Sequence, residues 1–140
     1  MNRLGTISAV AAAALAVTAI SGCSGGTQAA RDVAESFARA YYSADYETAA
    51  GLCSPELQEM VLGTGTVIDS LPAEAQAEFM ELSQGMQAYT GEVHAWTKDS
   101  VTVDFDIIYP GEIEPIKTAL TVVREPGADV WRVVYAQERM

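Results

Sequence analysis

Residues 101–109 read VTVDFDIIY. Val101, Val103, Phe105, Ile107 and Tyr109 fall on one side of a two-residue period. Thr102, Asp104, Asp106 and Ile108 fall on the other. Side chains alternate across a strand, so this stretch is a strand with one buried and one wetted face. The same period recurs around it. GEVHAW (91–96) precedes it across the turn TKDS (97–100). PIKTALTVVR (115–124) follows the Pro110-Gly111 turn, and VWRVVYAQE (130–138) follows the turn at 125–129. Short links join antiparallel neighbours, so the second half of the chain is an antiparallel meander of four strands or slightly more.

Upstream the period lengthens to that of helices. TQAARDVAESFARAYYS (27–43) places Ala30, Val33, Ala34, Phe37, Ala40 and Tyr41 on one face, the stripe of an amphipathic helix. Thr27 is its expected N-cap. Ser43-Ala44 interrupts, and Asp45 caps a second helix, YETAAGLC (46–53). Ser54 caps a third, with Pro55 at its first position and Glu56 in its first turn. That helix, PELQEMVL (55–62), is expected to stop at GTGT (63–66), where glycines break the pattern. Ser70-Leu71-Pro72 opens a fourth helix with Ala75, Phe79, Leu82 and Met86 as its apolar stripe. Helices followed by a meander make an α+β domain, with N-terminal helices packed on one face of a bent antiparallel sheet.

The stretch VAESFARAYYSADYETAAGLCSPEL (33–57), together with the closing Trp131-Arg132-Val133, resembles the nuclear transport factor 2-like superfamily. Helix, short gap with Asp, second helix ending near Ser-Pro, and a final strand carrying Trp-x-Val are its loose signature, and the resemblance covers about residues 29–138. It implies a cone-like fold whose open end is a pocket. Members include isomerases and dehydratases as well as non-enzymatic modules, so the fold leaves function open. Residues 63–87 depart from the pattern, because many members place a short strand there.

The amino terminus gives an address. One basic residue, Arg3, precedes an apolar run over residues 7–20. The run is short for a membrane span, which needs roughly 20 residues, and fits a signal-peptide core of about 7–15. Ile20-Ser21-Gly22-Cys23 resembles the lipobox of bacterial lipoproteins. That resemblance implies diacylglyceryl transfer to the Cys23 thiol and cleavage between Gly22 and Cys23. A thiolate is the nucleophile such a transferase needs, and small residues let a narrow peptidase cleft close on the backbone. The expected organisation is a leader at 1–22, a lipidated Cys23 with a flexible Ser-Gly-Gly tether over 23–28, and one domain over 29–140. The expected localisation is the outer face of the cell membrane. High Ala, and Arg in preference to Lys, suit a GC-rich, actinobacterial genome.

The 140 residues carry a formal charge of −11. Loss of residues 1–22 removes Arg3 and no acid, leaving 7 basic against 19 acidic side chains, or −12. Such a surface repels nucleic-acid phosphates and anionic headgroups, so neither nucleic acid nor a lipid surface met by a basic patch is an expected partner. With Cys23 modified, Cys53 has no disulfide partner and reads as a small buried apolar residue. One His and one remaining Cys offer no metal-ligand spacing, and no phosphate loop or nucleophile elbow is present. No metal and no cofactor are expected. His94, Asp104 and Asp106 are the groups available for proton transfer, but the parity of 101–109 turns both aspartates away from the apolar face. No catalytic residue is assigned. The aromatics Phe37, Tyr41, Phe79, Phe105, Trp131 and Tyr135 either fill the core or line a cavity in the cone. The expected function is a non-enzymatic, lipid-anchored binding or accessory module with an envelope-protein partner. A carrier of a small apolar ligand is the alternative, and an isomerase- or dehydratase-like enzyme a more distant one.

Overall fold

A computed structural model describes residues 18–127 and 129–139 of the chain. The expected leader lies outside the described residues as far as position 17, and the Cys23 side chain lies outside them as well. Four helices come first: α1 (Thr18–Tyr42), α2 (Tyr46–Ala50), α3 (Pro55–Asp69) and α4 (Ala73–Gln84). Four strands follow: β1 (Gln87–Thr97), β2 (Ser100–Ile108), β3 (Ile116–Arg124) and β4 (Trp131–Glu138). They form one antiparallel sheet in the order β1-β2-β3-β4. The sheet is not closed. The fold is α+β with helices on one sheet face, as the two periods of the sequence lead one to expect.

The stretch 101–109 behaves as its parity dictates. Val101, Val103, Phe105 and Ile107 are buried along β2, and every alternate residue is half-exposed. Leu120 and Val122 from β3, and Trp131 and Val133 from β4, extend the buried face. Against it lies α1, whose Ala30, Ala34, Phe37, Ala38 and Ala40 are buried. Small alanines let the helix axis come close to the sheet, and Phe37 supplies the bulk. Each fully buried Val, Ile or Phe contributes about 1.5–3 kcal/mol, so this seam is the main source of stability. A polar link ties α1 to β1. The Thr90 hydroxyl donates to Glu35 Oε2 at 2.6 Å, and Arg31 Nε donates to the same oxygen at 3.2 Å. Burial alone would raise the Glu35 carboxyl, but these two donors outweigh it and hold it below its ordinary range.

The caps fall where the sequence places them. The Asp45 side chain accepts from Thr48 N–H, and the Ser54 hydroxyl accepts from Leu57 N–H, with Pro55 at the helix start. Ala44 takes a positive φ of 71° in the reversal between α1 and α2. Between α2 and α3 the chain touches the free edge of β4. Val133 N–H donates to Leu52 O, and Ser54 N–H donates to Val133 O, each at 2.9 Å. This bridge blunts part of an otherwise unpaired strand edge.

Three local expectations are corrected. The helix expected to start at a Thr27 cap begins at Thr18 and runs through Ser24-Gly25-Gly26, so the backbone at 23–28 is helical and not a slack tether. The alanine-rich sequence that follows carries the helix across three glycines, Gly22, Gly25 and Gly26, that cost about 1 kcal/mol each. GTGT does not end the third helix either: α3 continues to Asp69. Thr64 and Thr66 return their hydroxyls to the carbonyls of Met60 and Leu62, each at 3.1 Å. Gly65 serves a close approach, since a Cβ there would lie 3.2 Å from Tyr46 Cδ2. Finally, the apolar stripe of α4 is not buried. Ser83 is the residue of α4 that reaches the interior, while Ala75 and Leu82 are exposed and Phe79 is half-buried.

The two glycines of α3 give a paired test. Gly63 has open space where a Cβ would go, so Gly63→Ala should raise stability by about 0.5–1 kcal/mol. Gly65→Ala gains the same propensity but meets the Tyr46 ring, and should be neutral or destabilising. Urea denaturation of both variants checks this. A chain break at GTGT would instead make Gly63→Ala indifferent or harmful.

Candidate functional site

The open end of the sheet carries two adjoining cavities. The first, of about 370 Å³, is walled by Phe79 and Leu82 of α4 and by Ile107, Tyr109 and Ile116 of the sheet, with Glu112 and Glu114 among its lining residues. The second, of about 320 Å³, is lined by Phe37, Tyr41, Tyr42, Met60 and Ala136, and Ile116 borders both. These volumes lie at the lower end of ordinary small-ligand sites. The groove exists because α4 crosses the end of the sheet without burying its stripe. Gly85 sets how close it comes: a Cβ there would lie 2.5 Å from Pro110 Cγ in the β2–β3 turn.

The rear wall is aromatic. Tyr41 stacks on Phe37 at 5.6 Å between centroids and meets Tyr42 and Tyr46 edge-on at 5.0 and 5.4 Å. The Tyr109 hydroxyl donates to the Tyr42 carbonyl at 2.7 Å. That carbonyl belongs to the last turn of α1, whose end groups lack helical partners, so Tyr109 acts as a cap delivered from the sheet. Burial, reinforced by Tyr42, Tyr46 and Tyr41, pushes the Tyr109 phenol well above its ordinary value. Burial raises Tyr42 as well.

The six aromatics singled out from the sequence do not converge. Phe37 and Tyr41 line the second cavity and Phe79 the first. Phe105 and Trp131 are buried in the core. Arg124 lies over the Trp131 ring at 5.8 Å. Tyr135 is on the opposite, outer face and 54% exposed. The cause is a bulge in β4. Thr121 pairs with Tyr135 but Val122 pairs with Val133, so Val134 is extra and the parity flips. Ala136 takes the inward place that alternation assigns to Tyr135. Residues that line the groove but were not singled out are Leu82, Ile107, Tyr109 and Ile116. For Ile107 and Tyr109 the parity of 101–109 already carried the signal.

Asp104 and Asp106 lie on the outer face, as their parity requires. Asp106 pairs with Arg139 at 3.0 Å and Lys117 at 3.8 Å. His94 is also on that face, with Nε2 at 3.4 Å from Glu92 Oε1 and 3.8 Å from Asp104 Oδ2. Among the described residues, Glu92, His94 and Asp104 are the group whose spacing suits a metal ion. Cys53 is buried, and its thiol donates to the Ala50 carbonyl at 3.4 Å. Burial pushes that thiol up, against a smaller opposing pull from Arg132, so it is a poor nucleophile. No family model and no curated protein matches the chain.

The tyrosine wall makes a pH prediction. A phenol with a raised folded pKa contributes stability that is complete below the unfolded value of about 10 and is lost as pH rises through the folded one. Stability should therefore decline above about pH 10. Tyr109→Phe should flatten that decline, and at pH 7 should cost about 1 kcal/mol for the lost hydrogen bond. Thermal melts between neutral and strongly alkaline pH check both effects.

Proposed function

We propose that this chain is an exported lipoprotein, anchored at the outer face of the cell membrane through Cys23, whose domain is a non-enzymatic binding module. The observation that carries the binding reading is the groove. Its walls are Phe79, Leu82, Ile107, Tyr109 and Ile116, with Ser83, Glu112 and Glu114 also in its lining, and the Ser83 hydroxyl is spent on the Phe79 carbonyl at 2.8 Å. A concave, mainly apolar site of that kind offers burial to an apolar group. The occupant favoured is an apolar side chain or short segment of an envelope partner, because Leu82 and Met60 stand partly exposed beside the opening. A small apolar ligand is the second reading, supported by the second cavity that adjoins at Ile116.

The anchor rests on Ile20-Ser21-Gly22-Cys23 and the apolar run before it. Two acyl chains hold a protein stably where one does not. Among the described residues no helix is long and apolar enough to cross a membrane. The resemblance to the nuclear transport factor 2-like superfamily belongs to the same proposal. Helices packed on an open antiparallel sheet support it, and the helical course of 55–84 is where the chain departs from it.

Three experiments test this reading. Cys23→Ala should abolish attachment of the acyl chains and leave the protein at precursor size. Retention in the membrane at mature size would overturn the anchor. For the groove, native mass spectrometry of the Cys23→Ala chain is compared with the same chain carrying Ile116→Glu. A co-purifying apolar molecule that Ile116→Glu abolishes supports the carrier. A photo-crosslinker at position 82 that captures one envelope protein, and loses it with Ile116→Glu, supports the partner. Neither result with a folded chain would overturn the groove as a site.

A further inference from the structure

We propose that Glu92, His94 and Asp104 form a binding site for a divalent transition-metal ion of the zinc class on the outer face of the sheet. The site does not depend on the groove or on the lipid anchor. Its origin is a second bulge. Thr90 pairs with Phe105 and Val93 with Val103, so Gly91 and Glu92 together face Asp104. The extra residue swings Glu92 to the side of His94.

The spacing fits an ion. Zinc bonds of about 2.0–2.1 Å to nitrogen and oxygen put neighbouring tetrahedral ligand atoms about 3.3–3.4 Å apart. His94 Nε2 stands 3.4 Å from Glu92 Oε1 and 3.8 Å from Asp104 Oδ2, and all three donor atoms lie within 4.8 Å of one another. The two distances from His94 lie within about half an ångström of that spacing, and the exposed Glu92 side chain closes on Asp104 as the ion binds. The donor set is one imidazole and two carboxylates, leaving a coordination position for water or for a group on a partner.

The surroundings support the ligands. The Trp96 ring stacks beside His94 at 6.0 Å between centroids. Its indole N–H is held by the Thr102 hydroxyl at 2.7 Å, and Thr102 meets Thr121 at 3.0 Å. The anchored indole packs against the imidazole and limits how far it can turn. Asp104 is 16% exposed, and Arg139 Nη1 reaches it only at 3.9 Å. Arg139 spends its close hydrogen bonds on Thr118 O, Phe105 O and Asp106. Asp104 is thus a largely covered carboxylate whose nearest cation is loosely placed. The net charge of −11 concentrates cations around it.

His94 is the one histidine of the chain, which makes the test direct. The full chain, purified without a histidine tag, is titrated with Zn²⁺ by calorimetry and with Co²⁺ by quenching of tryptophan fluorescence. The expected result is one saturable Zn²⁺ per chain and quenching of the Trp96 signal. His94→Gln and the isosteric Asp104→Asn should each weaken both by about tenfold or more. Asp106→Asn, on the same face but paired with Arg139 and Lys117, should leave both unchanged. Far-UV circular dichroism confirms that each variant is folded. Absence of saturable binding at millimolar Zn²⁺ would overturn the site. So would binding that survives His94→Gln, or that falls equally with Asp106→Asn, which would mark a diffuse acidic surface.

Discussion

The structure depends on the contact between the apolar face of β2 and the alanine face of α1. Val101, Val103, Phe105 and Ile107 are buried in strict alternation, and Ala30, Ala34 and Ala38 allow the helix down onto them. Neither side has slack. A one-residue slip of β2 would exchange this set for Thr102, Asp104 and Asp106, placing two carboxylates against a helix with no partner for either charge. That penalty pins the register of the central strand. The register of β1 and β3 then follows from their pairing with it.

With the centre pinned, variation is pushed to the flanking strands. The register irregularities sit there, in β1 opposite Asp104 and again at Trp96, and in β4 at Val134. The one opposite Asp104 and the one at Val134 each reverse the parity of the residues beside them. In β4 this moves Tyr135 outward and Ala136 inward, which leaves room beside Phe37 and Tyr41 for the second cavity. In β1 it brings Glu92 to the side of His94. The cavity on one face and the polar cluster on the other are products of the same device, used on opposite edges of one sheet.

These particulars explain what the sequence reveals and what it hides. Period, turn residues and caps are local, so α+β order, the Asp45 and Ser54 caps, and the outward aspartates could all be read from it. A bulge is invisible to alternation: VWRVVYAQE reads as an unbroken strand, and the extra residue shows only when its partner is known. GTGT misleads for a related reason. Glycine reads as a break, yet Gly65 is there because Tyr46, nineteen positions away, needs the space. The groove was half legible. Ile107 and Tyr109 announce their face, but Ile116 lies past a link of turn residues, and the exposed stripe of α4 looks like any other amphipathic helix.

The course of α1 also bears on which occupant the groove takes. Cys23 and Tyr42 lie on one continuous helix, so they are about 28 Å apart along its axis at 1.5 Å per residue. Tyr42 lines the second cavity, and its carbonyl receives the Tyr109 hydroxyl from the first. The groove is therefore at the end of α1 remote from the proposed anchor. A flexible tether would let the domain turn its opening down to its own bilayer. A helix running into the anchor opposes that rotation, and an acidic surface is repelled by anionic headgroups. A carrier loading lipid from the membrane that holds it would need the opposite arrangement. The geometry favours an occupant arriving from the far side, which is why the apolar segment of an envelope partner stands ahead of a membrane lipid.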